Sequence, residues 1–152
     1  MMPQKISRRV VADRLAWISN MLTNIRALPL ASREEFFSDP RNVFAAESCL
    51  RRALEALFDL GRHILAKGFA VGVSEYKEIA RALYQNGIIN AEESALLNIL
   101  AGYRNRLVHF YHEVSPDELY EICTHQLGDI SRIANALQGW INAHPDDLDD
   151  HL

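Results

Sequence analysis

The sequence lacks a long apolar run, a cysteine framework and an excess of basic charge. No apolar stretch approaches the roughly 20 residues that a transmembrane helix needs, so we expect no membrane span. The amino-terminal stretch has no apolar core typical of a signal peptide, which favours a cytoplasmic protein. Cys49 and Cys123 form no CxxC pair and lie in apolar helical patterns, so we expect reduced core thiols.

The composition is that of a folded, globular chain. Of the 152 residues, 49% are hydrophobic and 24% are charged, which argues against disorder. The formal net charge of −4 argues against a protein that coats nucleic acid. The net charge of −4 does not exclude a local basic cleft, because binding to nucleic acid depends on how the charge is distributed over the surface.

Apolar residues recur every three to four positions along most of the chain, and this period predicts amphipathic helices. The clearest apolar seams are Val11, Leu15, Ile18, Leu22 and Ile25; Leu50, Leu54, Leu57, Gly61 and Ile64; Leu96, Leu100, Tyr103, Leu107 and Phe110; and Cys123, Leu127, Ile130, Ala134, Leu137 and Ile141. A glycine on the second seam, Gly61, predicts the close approach of a neighbouring helix. No segment alternates with period two for long enough to predict a strand.

Capping residues and prolines predict where the helices begin. The predicted starts are Ser32 before a short helix, Asp39-Pro40 before a long one, Ser74, Asn90 and Ser115-Pro116. Gly68 and Gly72 are expected to bracket a loop, and Gly87 to close a helix over 75–86. We therefore predict an all-α, up-and-down bundle of five to six helices in a single domain over residues 1–144. The acidic segment 145–152 lacks periodicity, and we expect a mobile tail.

Polar residues crowd one stretch of an otherwise apolar helix, Gly102–Glu113, with the sequence GYRNRLVHFYHE. Arg104 and Tyr111 share a face two turns apart. Arg104 and His109 lie about 140° apart around a regular helix, so they would diverge. Either the helix loosens near His109, or the two residues converge on a groove between two chains of a symmetric dimer.

An arginine and a histidine suit the cleavage of RNA by its own 2′-hydroxyl. Histidine ordinarily has the near-neutral pKa that a general acid or base needs, so His109 suits this role. The Arg104 guanidinium matches the geometry of phosphate and can stabilise charge growing on its oxygens, and Asn105 can orient the phosphate or the imidazole. His109 and His112 lack an obvious third ligand, so we expect neither a metal nor another cofactor.

The stretch Arg104-Asn105-Arg106-Leu107-Val108-His109-Phe110-Tyr111 resembles the HEPN signature, and its tyrosine resembles the HepT toxin branch. The helix around Ala53–Ala66, the segment from Ser74 and the stretch Leu83–Ile89 resemble the same branch. The resemblance covers about residues 40 to 142, which is most of the chain. Phe110 departs from it, since small or polar residues are familiar there.

The resemblance implies a HEPN-like homodimer that acts as a metal-independent endoribonuclease toxin, with the motifs of both protomers lining one cleft. It also implies a cognate minimal nucleotidyltransferase antitoxin that uses ATP to transfer AMP to Tyr111. Adenylylation would place phosphate and bulk beside Arg104 and His109, and so block RNA.

Several other charged and aromatic residues are candidates for RNA binding or for contacts with the motif. Two alternative functions also remain open. Arg51, Arg52 and Arg106 are candidate RNA-binding residues, with Arg62 and His63 as further members of such a surface. Glu47 and Asp59 are candidate partners of the motif arginines, and Trp17 and Trp140 are expected to be core or dimer aromatics. The alternatives are a non-catalytic HEPN module that binds a nucleotidyltransferase or a nucleotide, and a helical interaction protein with coincidental motif residues.

Overall fold

The computed structural model describes residues 4–109 and 114–150, except for the side chain of His109. Within these residues the chain forms seven α-helices and one pair of very short strands. The elements are β1 (Ile6–Ser7), α1 (Arg8–Arg26), α2 (Arg33–Phe37), α3 (Pro40–Phe69), α4 (Tyr76–Gln85), α5 (Ala91–His109), α6 (Pro116–His125), α7 (Leu127–Ala143), a 3-10 turn (Pro145–Asp147) and β2 (Leu148–Asp149). The prediction of an all-α bundle is confirmed.

The long helix α3 is the centre of the bundle, because it contacts each of the other six helices. Its predicted apolar seam is buried throughout, and the other side chains that fill the core come from every helix. The largest fully buried side chains are Phe36, Phe58, Ile6, Ile25, Leu50, Leu54, Leu57, Leu60, Ile64, Leu65, Ile79 and Leu83.

Side-chain caps begin the helices at four of the predicted positions. The side chains of Ser32, Asp39 and Ser115 each accept a backbone N–H from the first turn of α2, α3 and α6. At the start of α5, Asn90 and Glu93 form a reciprocal capping box, in which each side chain accepts the other's backbone N–H. These starts are therefore confirmed by local hydrogen bonds that a sequence pattern can identify.

The boundary between α3 and α4 differs from the prediction. α3 continues past Gly68 and ends at Phe69. The next residue, Ala70, adopts the left-handed conformation with φ 54°. α4 begins after Glu75, not Ser74, and no described side chain caps it. Gly87 closes α4 in the left-handed conformation, as predicted, with φ 76°.

The last predicted helix is two helices, because the chain breaks at Gln126 between α6 and α7. The apolar period continues through the break, so the sequence pattern predicts one helix. Two side-chain bonds accompany the change of direction. The Thr124 hydroxyl donates to the Tyr120 carbonyl, a contact that bends helices, and the Tyr103 hydroxyl donates to Oε1 of Gln126 at 2.6 Å.

The two ends of the described chain pair with each other. Ile6 and Ser7 in β1 lie parallel to Leu148 and Asp149 in β2, and Leu148 is buried. Arg8 forms an ion pair with Asp150 beside them. Residues 145–150 are thus folded against the amino-terminal segment, whereas the sequence favours a mobile tail from residue 145.

The helices of the described residues are too short or too polar for a bilayer. No helix in residues 4–109 and 114–150 is long and apolar enough to cross a membrane.

Candidate active site

Arg104 and Asn105 lie together at a cavity between α5 and the start of α4. The cavity has a volume of about 410 Å³, and its described lining is Ser74, Glu75, Tyr76, Lys77, Arg104 and Asn105. The Arg104 side chain is only 15% exposed, so its charge is largely removed from water. The cavity therefore offers a nearly buried guanidinium and an amide to any group that enters it.

The Arg104 guanidinium is held by one carboxylate and one aromatic ring. Its Nη2 donates to Oε2 of Glu55 on α3 at 3.0 Å. Its central carbon lies 4.2 Å from the centroid of the Tyr76 ring, within the range of a cation–π contact. The Nε of Arg104 is buried and has no hydrogen-bond partner among the described residues.

A second arginine, Arg51, shares the Glu55 carboxylate. Its Nη1 donates to Oε1 of Glu55 at 2.6 Å, one helical turn away on α3. The three side chains form a cluster of two cations around one carboxylate, which leaves one net positive charge beside the cavity. A net positive cluster of this kind favours an anionic ligand.

Arg52 lies on a different face of α3, in a groove toward α1. The groove has a volume of about 250 Å³, and its described lining is Arg14, Trp17, Arg52, Glu55, Ala56 and Asp59. Trp17 is 43% exposed there, so it is not a core residue, and the other expected role, that of a dimer aromatic, stays a prediction. Trp140 is half-buried, and its ring packs against those of Phe69 and His144.

Arg106 points away from the cavity. Its guanidinium forms an ion pair with Glu118 on α6 and lies 5.7 Å from the centroid of the Tyr103 ring. Two residues on a helix correspond to about 200° of rotation, so Arg104 and Arg106 occupy nearly opposite faces of α5.

His109 is the last residue of α5, and the α-helix runs without interruption to it. Of the two alternatives, a loosening of the helix between Arg104 and His109 is therefore not observed, and the convergence of the two residues at a dimer groove stays a prediction. The side chain of His109, and the residues Phe110, Tyr111 and His112, lie outside the described part of the chain. Their predicted roles stay predictions.

Two further residues of the candidate RNA-binding surface have structural partners. Arg62 pairs with Asp59 at 3.5 Å on the same helix. The Nε2 of His63 accepts the backbone N–H of Ser7 at 3.0 Å, which ties β1 to α3. Burial, with smaller contributions from the charges of Lys67 and Arg14, lowers the pKa of His63.

Within the described single chain, Arg104 pairs with Glu55 and not with Asp59 or Glu47, and a pairing of these two across a dimer interface stays a prediction. Asp59 pairs with Arg62 and, at 4.0 Å, with Arg14. Glu47 is partly buried, and that burial raises its pKa. Within the described parts of the chain, no group of three or more His, Cys, Asp or Glu side chains could hold a metal ion.

Both cysteines are free thiols. Cys123 is buried and Cys49 is half-buried, in agreement with the prediction of reduced thiols in an apolar environment. Burial, together with the neighbouring Cys49, raises the pKa of Cys123 to about 12. At neutral pH this thiol is therefore protonated and a poor nucleophile.

Glu55 and Tyr76 are site residues that sequence reasoning missed. The spacing of Arg51 and Glu55 is that of an ordinary i,i+4 surface pair, so it carries no sign of a third partner. Tyr76 follows the predicted cap Ser74, so the sequence predicts only an aromatic residue in the first turn of a helix. Only the packing of α5 against α3 and α4 brings both side chains to Arg104.

Comparisons with known proteins agree on one family. The family model described as ribonuclease HepT-like matches residues 18–137. A curated relative, the tRNA nuclease HepT of Aphanizomenon flos-aquae (strain 2012/KM1/D3), is 24% identical over 111 residues, which are 73% of this chain and 76% of the relative.

Solved structures share the fold. The tri-AMPylated HEPN toxin of Shewanella oneidensis, in complex with its MNT antitoxin, superposes with a TM-score of 0.77 at 22% identity, over 86% of this chain and 97% of the toxin. YutE of Bacillus subtilis, a cytosolic protein of unknown function, superposes with a TM-score of 0.75 at 16% identity, over 93% of this chain and 95% of YutE. At these identities the superpositions establish the HEPN fold and nothing finer.

Proposed function

Because the chain belongs to the ribonuclease HepT-like family, we propose that it is a metal-independent endoribonuclease toxin whose active site is built on Arg104 and His109. The observation that carries the proposal is the placement of Arg104. Its guanidinium is nearly buried, held between Glu55 and Tyr76, and faces a cavity that Asn105 also lines. An arginine held in this way is suited to a phosphate that enters from the cavity.

The proposed reaction is transesterification within RNA. A base takes the proton of a 2′-hydroxyl, the 2′-oxygen forms a bond to the adjacent phosphorus, and the bond from phosphorus to the 5′-oxygen breaks. An acid returns a proton to that leaving oxygen, so the products are a cyclic phosphate and a 5′-hydroxyl. His109 serves as the general acid or base, Arg104 stabilises the charge on the phosphoryl oxygens, and Asn105 orients the phosphate.

We further propose that the cleft forms between two protomers. α5 stays helical through His109, so positions 104 and 109 of one chain lie about 140° apart around its axis. A two-fold axis beside α5 would bring Arg104 of one protomer toward His109 of the other. The apolar Val108, next to His109, is 38% exposed in the single chain, which fits a surface that a partner covers.

The proposed regulator is a minimal nucleotidyltransferase antitoxin that transfers AMP from ATP to Tyr111. The relative from Shewanella oneidensis is a tri-AMPylated toxin bound to an MNT antitoxin. In this reaction the Tyr111 oxygen attacks the α-phosphorus of ATP, pyrophosphate leaves and the tyrosine loses its proton. The attached phosphate would then compete with RNA phosphate for Arg104.

RNA contacts beyond the reacting phosphate are proposed for Arg51, Arg52 and Arg106. Arg51 belongs to the cationic cluster around Glu55, and Arg52 lies in the groove beside the exposed Trp17. Arg106 lies on the α6 side of α5, where its guanidinium is paired with Glu118. Arg51 and Arg106 are each paired with a carboxylate, so both would have to change or share a partner to reach RNA.

The decisive test is cleavage of tRNA, mRNA and rRNA by the purified, unmodified protein in EDTA. We expect cleavage by the wild type and a loss of at least about 100-fold in Arg104→Ala and in His109→Ala. Arg132→Ala, which removes an exposed arginine paired with Glu92, is the matched control and should keep full activity. Circular dichroism and sedimentation would confirm that each variant is folded and dimeric.

An inactive wild type would overturn the nuclease proposal. If mass spectrometry showed an unmodified Tyr111 and none of the RNAs were cut, the alternative would take its place. The chain would then be a HEPN module that binds a nucleotidyltransferase or a nucleotide without cleaving RNA.

A further inference from the structure

The carboxylate of Glu55 is divided between two arginines. Oε2 accepts from Arg104 at 3.0 Å, and Oε1 accepts from Arg51 at 2.6 Å. The Glu55 side chain is 29% exposed, so both contacts are partly shielded from water. Charge-assisted hydrogen bonds in such a setting fix the orientation of an arginine better than an exposed ion pair does.

The Arg104 guanidinium also contacts an aromatic ring. Its central carbon lies 4.2 Å from the centroid of the Tyr76 ring, and Tyr76 forms a T-shaped pair with the Phe58 ring at a centroid distance of 4.9 Å. A carboxylate and an aromatic ring therefore both restrict how the guanidinium can move.

Glu55 is not among the described residues that line the cavity. Among the described residues, Arg104 and Asn105 line the cavity, whereas Glu55 lines the groove between α1 and α3. Glu55 is therefore not part of the described lining of the space that a phosphate would enter. The carboxylate in that lining is Glu75, whereas the carboxylate bonded to Arg104 is Glu55.

We propose that Glu55 is a positioning residue for Arg104, which holds the guanidinium in its phosphate-binding orientation before RNA arrives. This inference rests on the proposed nuclease function. Arg51 completes the arrangement, because its charge prevents Glu55 from cancelling that of Arg104. Preorganisation of this kind acts on the transition state more than on the binding of substrate.

The test is the cleavage of a labelled RNA oligonucleotide by Glu55→Gln, Glu55→Asp and Arg104→Ala. A misplaced catalytic group typically costs on the order of 100-fold in rate, so we expect Glu55→Gln to lower kcat by about 10- to 100-fold. KM should change by less than about threefold, since substrate binding uses many other contacts. Glu55→Asp should recover part of the loss, and Glu55→Gln should add nothing in the Arg104→Ala background.

Glu121→Gln is the matched control. Glu121 is also a half-exposed carboxylate, paired with Arg33 and 3.5 Å from Nε2 of His125, but it lies on α6 and is not in the described lining of the cavity. We expect wild-type kcat for this variant. Wild-type kcat in Glu55→Gln, an increase in kcat, or an equal further loss on top of Arg104→Ala would each overturn the proposal.

A second readout separates this proposal from the nuclease itself. Isotope-edited NMR of the arginine Nε–H groups, with Arg104→Lys to assign the signal, reports how firmly the buried Nε of Arg104 is held. We expect its exchange with solvent to be at least about fivefold faster in Glu55→Gln than in Glu121→Gln. If the wild type cut no RNA, the nuclease proposal would fail, and this exchange rate would still decide whether Glu55 positions Arg104.

Discussion

The central carbon of the Arg104 guanidinium lies over the Tyr76 ring, 4.2 Å from the ring centroid. The two residues are on different helices, α5 and α4, so their contact depends on how these helices pack. A guanidinium on an aromatic face keeps its edge N–H groups available for hydrogen bonds. The contact therefore orients Arg104 without using the donors that a phosphate needs.

Removal of the Tyr76 ring should lower the activity of the proposed nuclease. A partly desolvated cation–π contact contributes about 1–2 kcal/mol, so we expect Tyr76→Leu to lower kcat/KM by about 5- to 30-fold. Tyr76→Phe retains the ring and should stay within about twofold of the wild type. Steady-state cleavage of a labelled RNA measures both. Tyr84→Leu, at an exposed tyrosine on the same helix, is the control, and an equal loss there would refute the role of Tyr76.

Features that depend on neighbouring residues in the sequence were predictable. Ser32, Asp39, Asn90 and Ser115 cap helices through bonds that span two or three residues, and such bonds leave a sequence pattern. The buried seam of α3 was predictable for the same reason. The placement of Arg104 and Asn105 beside each other follows from their adjacency alone.

Features that depend on distant residues were not predictable. The apolar period runs through Gln126 unbroken, so the break between α6 and α7 leaves no mark in the pattern. Ile6 pairs with Leu148 at the other end of the chain, and two-residue strands are too short to show alternation. Glu55 meets Arg104 only because α3 and α5 pack together, and one sequence does not reveal that contact.

Gly61 should resist substitution, because α4 packs directly against it. A Cβ at this position would lie 3.0 Å from Cδ1 of Leu83 and 3.3 Å from Cγ2 of Ile79, both in the buried core. Overpacking of this kind costs about 1–3 kcal/mol, and a branched side chain is worse than alanine. We therefore expect Gly61→Val to lower the free energy of unfolding by about 2 kcal/mol or more, measured by urea denaturation.

Gly139 on α7 should tolerate a substitution, in contrast to Gly61. A Cβ there meets nothing within 4 Å, and the residue is exposed. Alanine is about 0.8–1 kcal/mol more favourable than glycine inside a helix, so Gly139→Ala should raise the free energy of unfolding by that amount. If Gly61→Val proved as stable as the wild type, the close packing of α3 and α4 would be contradicted.

Arg52 should contribute to RNA affinity through its charge. It has no ion-pair partner among the described residues, and it lines the groove that holds the exposed Trp17. Each phosphate contact on single-stranded RNA adds about 0.7 to the slope of log K against log salt. We expect Arg52→Ser to reduce that slope by about 0.7 and Arg132→Ser to leave it unchanged, in fluorescence anisotropy with a non-cleavable RNA. Equal slopes for Arg52→Ser and the wild type would remove Arg52 from the RNA-binding surface.

His63 should make the stability of the fold depend on pH. Its Nε2 accepts the N–H of Ser7, a bond that needs a neutral ring, and burial lowers its pKa in the folded chain. The unfolded chain, in which histidine has its ordinary pKa of about 6.5, therefore binds more protons than the folded chain below that pH. The stabilisation is complete above the unfolded pKa and is lost as the pH falls through the folded one.

The measurement is the free energy of unfolding of the wild type and of His63→Gln between pH 8 and pH 5.5. Glutamine keeps an acceptor for Ser7 but does not titrate, so the loss of stability at low pH should be smaller in this variant. His125→Gln, which also removes one imidazole, at an exposed position on α6, is the comparison, and its loss of stability at low pH should exceed that of His63→Gln. A wild-type profile in His63→Gln as well would mean that groups other than His63 set the pH dependence of the stability.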